Sequence, residues 1–263
     1  MTRVSVTIEN HIAQVRLTRA DKMNAVDQDM IDAIIAAGQE VAASNVRVVV
    51  LSGDGKGFCA GIDVSGLSQM IGKDPSELLM PRTHGDGTTN QWQEVAMIWH
   101  RLEVPVIAAL HGVVYGAGMQ LALGADIRIA APGTKLAVME MKWGIVPDMG
   151  GMVLLPRLVR SDVLRRLTYT AEPILADQAE RWGLITELAD DPLAAANALA
   201  ATIAGKSPSA IPAAKRLIAL AESGANDTEV LLAESREQAD LMGKPHQMEV
   251  VAAEFGKRAA VFK

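Results

Sequence analysis

Apolar and polar residues alternate in two short sets near the start of the chain. Val4, Val6 and Ile8 form the first, Ala13, Val15 and Leu17 the second, with Asn10-His11 between them. A period of two marks a half-buried strand, so residues 3–18 predict a hairpin. The period then lengthens. Met30, Ile31, Ile34, Ile35, Gly38 and Val41 recur at helical spacing behind Asp27, a residue type that caps helices. Residues 47–51, Arg-Val-Val-Val-Leu, are apolar without alternation, which predicts a strand covered on both faces. Trp92, Val95, Ile98, Trp99 and Leu102 restore helical spacing over residues 91–102. Pro105 to Leu110 reads as a buried strand, Ile127 to Ala130 as another. Beyond residue 160 helices dominate. They start at Ser161 or Asp162, at a capping Asp177 (ending at Gly183), at Pro192 (running to Gly205), at Pro208, at a capping Asp227 and near His246, with Leu184 to Leu188 as a last strand. The break at Asp190-Asp191-Pro192 divides an α/β part, residues 1–190, from a helical part, residues 191–263.

Composition narrows the function. The chain has 263 residues, 49% of them hydrophobic, enough for one large domain or two small ones. No apolar run reaches membrane-spanning length, and Met1-Thr2-Arg3 leads straight into the first strand without a secretion signal. Cys59 is the single cysteine, which excludes disulfide frameworks and multi-cysteine metal sites and fits a reducing, cytoplasmic setting. No metal is expected. A net charge of −6 argues against a nucleic-acid surface but leaves room for a small anion held by local Lys and Arg.

Three stretches carry the candidate chemistry. In residues 104–128, His111-Gly112 ends a strand, and Gly116-Ala117-Gly118 opens an apolar helix. The first N–H groups of a helix lack partners within it, and glycines let a ligand oxygen come close. A strand-to-helix turn packed through glycine is the plainer reading of the same residues. Residues 52–66 hold glycines at 53, 55, 57 and 61 around Phe58-Cys59-Ala60, a packed glycine loop with backbone donors near Ile62. Residues 135–156 place Glu140 and Asp148 among Met139, Met141, Trp143, Ile145 and Val146. Most acids are solvated surface groups. A carboxyl in apolar surroundings instead has a raised pKa and exchanges protons near neutrality. Two N–H donors on one oxygen with an acid beside it suit proton transfer next to a polarised carbonyl. Residues 67–100 read as an excursion, either a cover over a site or plain surface, with 81–90 its most loop-like span. Neither a GxSxG elbow, a Walker loop nor an HExxH motif is present.

The chain resembles the crotonase, or enoyl-CoA hydratase/isomerase, family. The matching residues are Gly57-Phe58-Cys59-Ala60-Gly61-Ile62-Asp63, Pro105 to Ala109 with His111-Gly112, Gly116-Ala117-Gly118, Ala125 to Arg128, Glu140, Gly144 to Pro147, and Gly150-Gly151. The resemblance implies an α/β spiral of ββα units with a C-terminal helical trimerisation region, assembled as a homotrimer or a dimer of trimers. It implies acyl-CoA thioester substrates, CoA being part of the substrate and no separate cofactor being needed. The oxyanion donors fall on the amides of Ile62 and Ala117, and a catalytic acid on Glu140. A second acid, eight residues on as in dienoyl-CoA isomerases, falls on Asp148. The third family acid falls on Gln120, which does not ionise. CoA contacts fall on the Ala60 backbone, Lys56 and Lys257, while a second phosphate-side lysine is replaced by Ser65. Cys59 and His111 read as structural. These residues imply double-bond isomerisation, with hydration of a 2-enoyl-CoA by Glu140 alone, or thioester binding with little catalysis, as alternatives.

Overall fold

The computed structural model describes residues 2–65 and 74–262. Asn10 and His11 both take positive φ, 51° and 65°, as a two-residue hairpin turn requires. Strands β1 (Val4–Glu9) and β2 (Ile12–Leu17) pair antiparallel across them. Helix α1 (Gln28–Ala42) begins where the Asp27 carboxylate accepts from the Met30 N–H, and it buries the apolar stripe read from the sequence. β3 (Val48–Gly53) follows. A short helix, α2 (Pro75–Leu79), lies within the expected excursion, capped by Asp74. Asn90 and Gln93 form a reciprocal capping box for α3 (Gln91–Arg101). Residues 67–73 of the expected excursion lie outside the described residues. In its 81–90 span a 3₁₀ turn at Gly85–Gly87 lies within a bridge between His84 and Thr89.

The chain then makes two similar turns. β4 (Val106–Leu110), β5 (Val113–Tyr115) and α4 (Ala117–Leu123) form one. β6 (Ile127–Ala130), β7 (Lys135–Ala137), α5 (Gly151–Leu154) and α6 (Ser161–Thr170) form the next. β8 (Ile174–Leu175), α7 (Ala176–Arg181) and β9 (Glu187–Leu188) complete the sheets. Six strands lie in the order β1-β2-β3-β4-β6-β9, parallel from β2 onward, and β5-β7-β8 form a second sheet. Each turn thus gives one strand to each sheet and then a helix, the ββα spiral expected.

The uninterrupted apolar run in β3 has a direct cause. Val49 and Leu51 face α1, α3 and α4, with Ile31, Ile34, Trp99 and Leu121, while Val48 and Val50 face the opposite layer. That layer is helix α8 (Pro192–Ala204), whose Ala196, Ala200 and Ala204 sit on Val48, Val50, Ile107 and Ile129. Although α8 follows the break at Asp190-Asp191, it covers the sheet. Helices α9 (Ala210–Glu222), α10 (Asp227–Leu241) and α11 (Pro245–Phe255) follow. Lys215 ties α9 to the sheet, donating to the Asp126 carboxylate at 2.8 Å and the Val104 carbonyl at 3.0 Å.

Two expected caps differ. Asp177 lies inside α7 and pairs with Arg181 one turn on, so it serves the helix as an ion pair rather than as a cap. For α10 the cap is Asn226, in a capping box with Glu229, which leaves Asp227 as the first helical residue. The strand expected over 184–188 shortens to Glu187–Leu188, because Leu184 and Ile185 turn back to donate to Ala179.

Candidate active site

Three parallel segments deliver the candidate residues to one end of the second sheet. The glycine loop is the first. Its Phe58 amide donates to His111 and its Cys59 amide to Val113, and the Tyr115 amide returns a bond to Cys59, so residues 58–60 run alongside β5. β5 in turn pairs parallel with β7, and the Gly116 amide donates to the Ala137 carbonyl. Parallel neighbours end at the same side. The residues that follow are Ile62 after the loop, Ala117 after β5 and Glu140 after β7.

Glycine sets how closely these segments approach. A side-chain carbon on Gly61 would stand 2.9 Å from the Tyr115 carbonyl and 3.8 Å from the Ala117 nitrogen. One on Gly118 would stand 2.5 Å from the Cys59 carbonyl, closer than such contacts allow. Asn24 shapes the loop from beneath. It is fully buried, and its Nδ2 donates to the carbonyls of Asp54, Gly57 and Phe58. Beyond Ile62, Arg19 holds Asp63 at 2.7 Å; hydrogen bonds from Ser65, with Arg19 adding to them, lower the Asp63 carboxyl to about 2. The Ala60 amide donates to Met23 and the Asp63 amide to Val26. The amides of Ile62 and Ala117 donate to no acceptor among the described residues.

Glu140 stands against the start of α4. It is buried, with 7% of its surface exposed, and a side-chain carbon on Gly116 would be 3.7 Å from its Oε1. Gln120 Nε2 donates to that Oε1 at 2.6 Å. The other oxygen, Oε2, is buried without a partner. Burial raises the Glu140 carboxyl above its ordinary value, outweighing the nearby backbone amides of Glu140 and Met139 and the Gln120 bond, and a charge on Asp148 pushes the same way. Asp148 is raised too, by the desolvating wall around it, although its outer side reaches solvent. Met149 and Pro147 on either side of it are buried.

Other candidates sit apart. Lys56 and Lys257 are exposed and make no ion pair among the described residues; Lys257 follows α11 in a left-handed turn. Ser65 hydrogen-bonds to the Asp63 carboxylate. Cys59 is buried, its thiol pushed up to about 12, and His111 spans the loop to the Gly55 carbonyl at 3.1 Å. Cavities of about 340 and 380 Å³ lie elsewhere, along α9, and none of these candidates lines them. Among the described residues no group of His, Cys, Asp and Glu is placed to hold a metal ion, and no helix is long and apolar enough to cross a membrane.

Sequence reading missed two residues. Asn24 stood in a polar loop; its signal was an Asn, tolerant of the left-handed φ of 55° it adopts here, between two apolar segments. Gln120 was read as a substitution, with no sign of the bonds it makes.

Unpartnered amides beside a buried carboxyl raised above its ordinary value suit an enzyme that stabilises an oxyanion while moving a proton. The enoyl-CoA hydratase/isomerase family model matches residues 7–263. Over 228 residues the chain is 35% identical to "Probable enoyl-CoA hydratase EchA14" of Mycobacterium tuberculosis, covering 86% of this chain and 85% of that protein. It is 32% identical over 222 residues to the human mitochondrial Delta(3,5)-Delta(2,4)-dienoyl-CoA isomerase, covering 79% and 65%. A crystal structure of an enoyl-CoA hydratase from Bacillus anthracis superimposes with a TM-score of 0.87 at 26% identity, over 99% of both chains. This chain belongs to the enoyl-CoA hydratase/isomerase family of enzymes.

Proposed function

We propose that this enzyme moves a carbon–carbon double bond in the acyl part of an enoyl- or dienoyl-CoA thioester. The thioester oxygen accepts from the amides of Ile62 and Ala117. Glu140 takes a proton from carbon, and the charge left behind delocalises onto that oxygen as an enolate. Asp148, protonated at the start, gives its proton to a more distant carbon. The double bond moves, no atom is added, and a proton passes from Glu140 back to Asp148 to close the cycle. The observation that carries this reading is the buried Glu140 carboxyl against the start of α4, beside two unpartnered amides; burial raising both Glu140 and Asp148 supports it. Water addition is less well served, because the side chain next to Glu140 is a carboxamide, which does not ionise and cannot act as a second acid–base group.

Within the same proposal the Ala60 backbone meets the adenine of CoA, and Lys56 and Lys257 meet its phosphates. Lys257 reaches them from a neighbouring subunit. The apolar side chains left exposed on the last helices, Ile218, Leu231, Leu232, Met248 and Phe255, support a trimer or a dimer of trimers. Incubation with 2-enoyl-, 3-enoyl- and 3,5-dienoyl-CoA substrates, followed by ultraviolet absorbance and mass, tests the reaction. Isomerisation changes absorbance at constant mass. A product heavier by one water makes the enzyme a hydratase and removes the proposal.

A further inference from the structure

Gln120 is almost wholly buried, 1% exposed, in the second turn of the site helix α4. Its Oε1 accepts from the Met149 and Gly151 amides, each at 2.9 Å. Backbone amides only donate, so the oxygen of the carboxamide must face them, and its NH₂ must face Glu140. This fixes the orientation of a side chain whose two ends are otherwise interchangeable. It also fixes Glu140. The Glu140 Oε1 accepts from Nε2 at 2.6 Å, a role that the unprotonated oxygen of a carboxyl fills best. Oε2 is buried without a partner. A proton on Glu140 is therefore best placed on Oε2.

We infer that Gln120 is the positioning residue of this site: one carboxamide pins the loop bearing Asp148 through its oxygen, engages Oε1 of Glu140 through its nitrogen, and so commits Oε2 to proton transfer. A carboxylate at position 120 would keep the two loop bonds but lose the donor to Glu140. A thioether there would lose all three. The two halves of the role are therefore separable by substitution. Asp148, on the loop before α5, is the titratable side chain whose charge, when it is ionised, reaches Glu140.

This inference rests on the isomerase reading for its consequence but not for its test. In the free enzyme, ¹³C-labelled glutamate resolves the Glu140 carboxyl by NMR, assigned by its loss in Glu140→Gln. Its titration midpoint should move upward in Gln120→Met, which removes a donor to the charged form, and further in Gln120→Glu, which adds a like charge. A midpoint unchanged in both variants overturns the inference. Should Gln120→Met fail to fold, Gln120→Glu decides alone, since it retains the acceptor for Met149 and Gly151. With substrate, Gln120→Met should lose kcat by about 10²-fold with KM little changed, as for a misplaced catalytic group. Unchanged kcat with unchanged pH profile again overturns it. A shifted midpoint in an enzyme that moves no double bond leaves Gln120 in place and removes only the isomerase reading.

Discussion

The two walls of the site are built from different materials. One is main chain: the glycine loop 57–61 and the start of α4, locked to each other by hydrogen bonds and by glycines too close for any other residue. The other is side chain: Glu140 and Asp148, on a segment of 3₁₀ turn and loop whose neighbours Trp143, Ile145 and Val146 stand in solvent. The first wall presents donors that need no reorganisation, since packing has already fixed them. The second presents groups whose protonation depends on their surroundings, and a single amide, Gln120, joins it to α4. In the proposed mechanism the difference separates the tasks: rigidity where charge must be received, tunability where protons must move.

The largest effect should come from the tunable wall. In the proposed mechanism Glu140→Gln removes the base, and it should lower kcat by about 10⁴-fold, the upper end for a positioned acid–base group, while thioester binding persists in calorimetry. Full activity in this variant would take Glu140 out of the mechanism. Stability should move the other way. The native carboxyl titrates above its ordinary value of 4.5. As pH rises from there, the unfolded chain ionises first and the native state holds its proton longer, so stability falls through that window. Glu140→Gln lacks this loss. Its melting temperature should exceed the parent's above the window and converge with it below 4.5. Wild-type activity should correspondingly fail as pH drops through the raised value, since the base must be ionised.

Next comes the rigid wall. In Gly118→Val a side-chain carbon would sit 2.5 Å from the Cys59 carbonyl and 2.6 Å from the Cys59 Cβ. Neither neighbour is a flexible side-chain end, so the loop and the helix must part. Loss of one aligned donor costs about 10²–10³-fold in rate, and that is the drop expected here even where the fold survives. A folded variant with wild-type kcat would show that the close approach serves packing alone.

Much of the rigid wall was legible because its signals are local. The glycines at 57, 61, 116 and 118, the break at His111-Gly112 and the apolar run in β4 all announce backbone geometry in a few consecutive residues. The hairpin, α1, β3 and α3 were readable from periodicity for the same reason. The second sheet was not. β5 and β7 are three residues each and pair across 22 positions, from Val113 to Lys135, so no window of sequence holds their pattern. Gln120 illustrates the limit on the tunable wall. Its type says only that it does not ionise, whereas its role lies in bonds to Glu140, Met149 and Gly151, 20 to 31 residues away. The caps at Asp177 and Asp227 failed because several residues near each helix start are good caps, and backbone dihedrals decide among them.

Asp148→Asn should cost less than Glu140→Gln, about 10²-fold in kcat, because its outer side reaches solvent and water offers a substitute route for the returning proton. Solvent deuterium measures this: the variant's product should carry more solvent label at the distal carbon than the parent's. Equal labelling in both would assign the second proton transfer to solvent throughout and leave Glu140 as the sole acid–base group.

The smallest effect tests whether the rigid wall stays closed. Cys59, on the glycine loop, packs its side chain against Gly118 of α4, its thiol donating to the Asn24 carbonyl at 3.1 Å. Burial pushes that thiol up to about 12, which leaves almost no thiolate at pH 8. Iodoacetamide should therefore leave the native enzyme unmodified and active at pH 8, and alkylate it once urea unfolds it, as mass spectrometry would show. Slow labelling that follows global unfolding is consistent with a wall that opens only with the whole domain. Rapid labelling of the folded enzyme would mean that the loop swings away from α4 on its own. The Ile62 and Ala117 donors would then need binding energy to align them, and the contrast between a fixed wall and an adjustable one would fail.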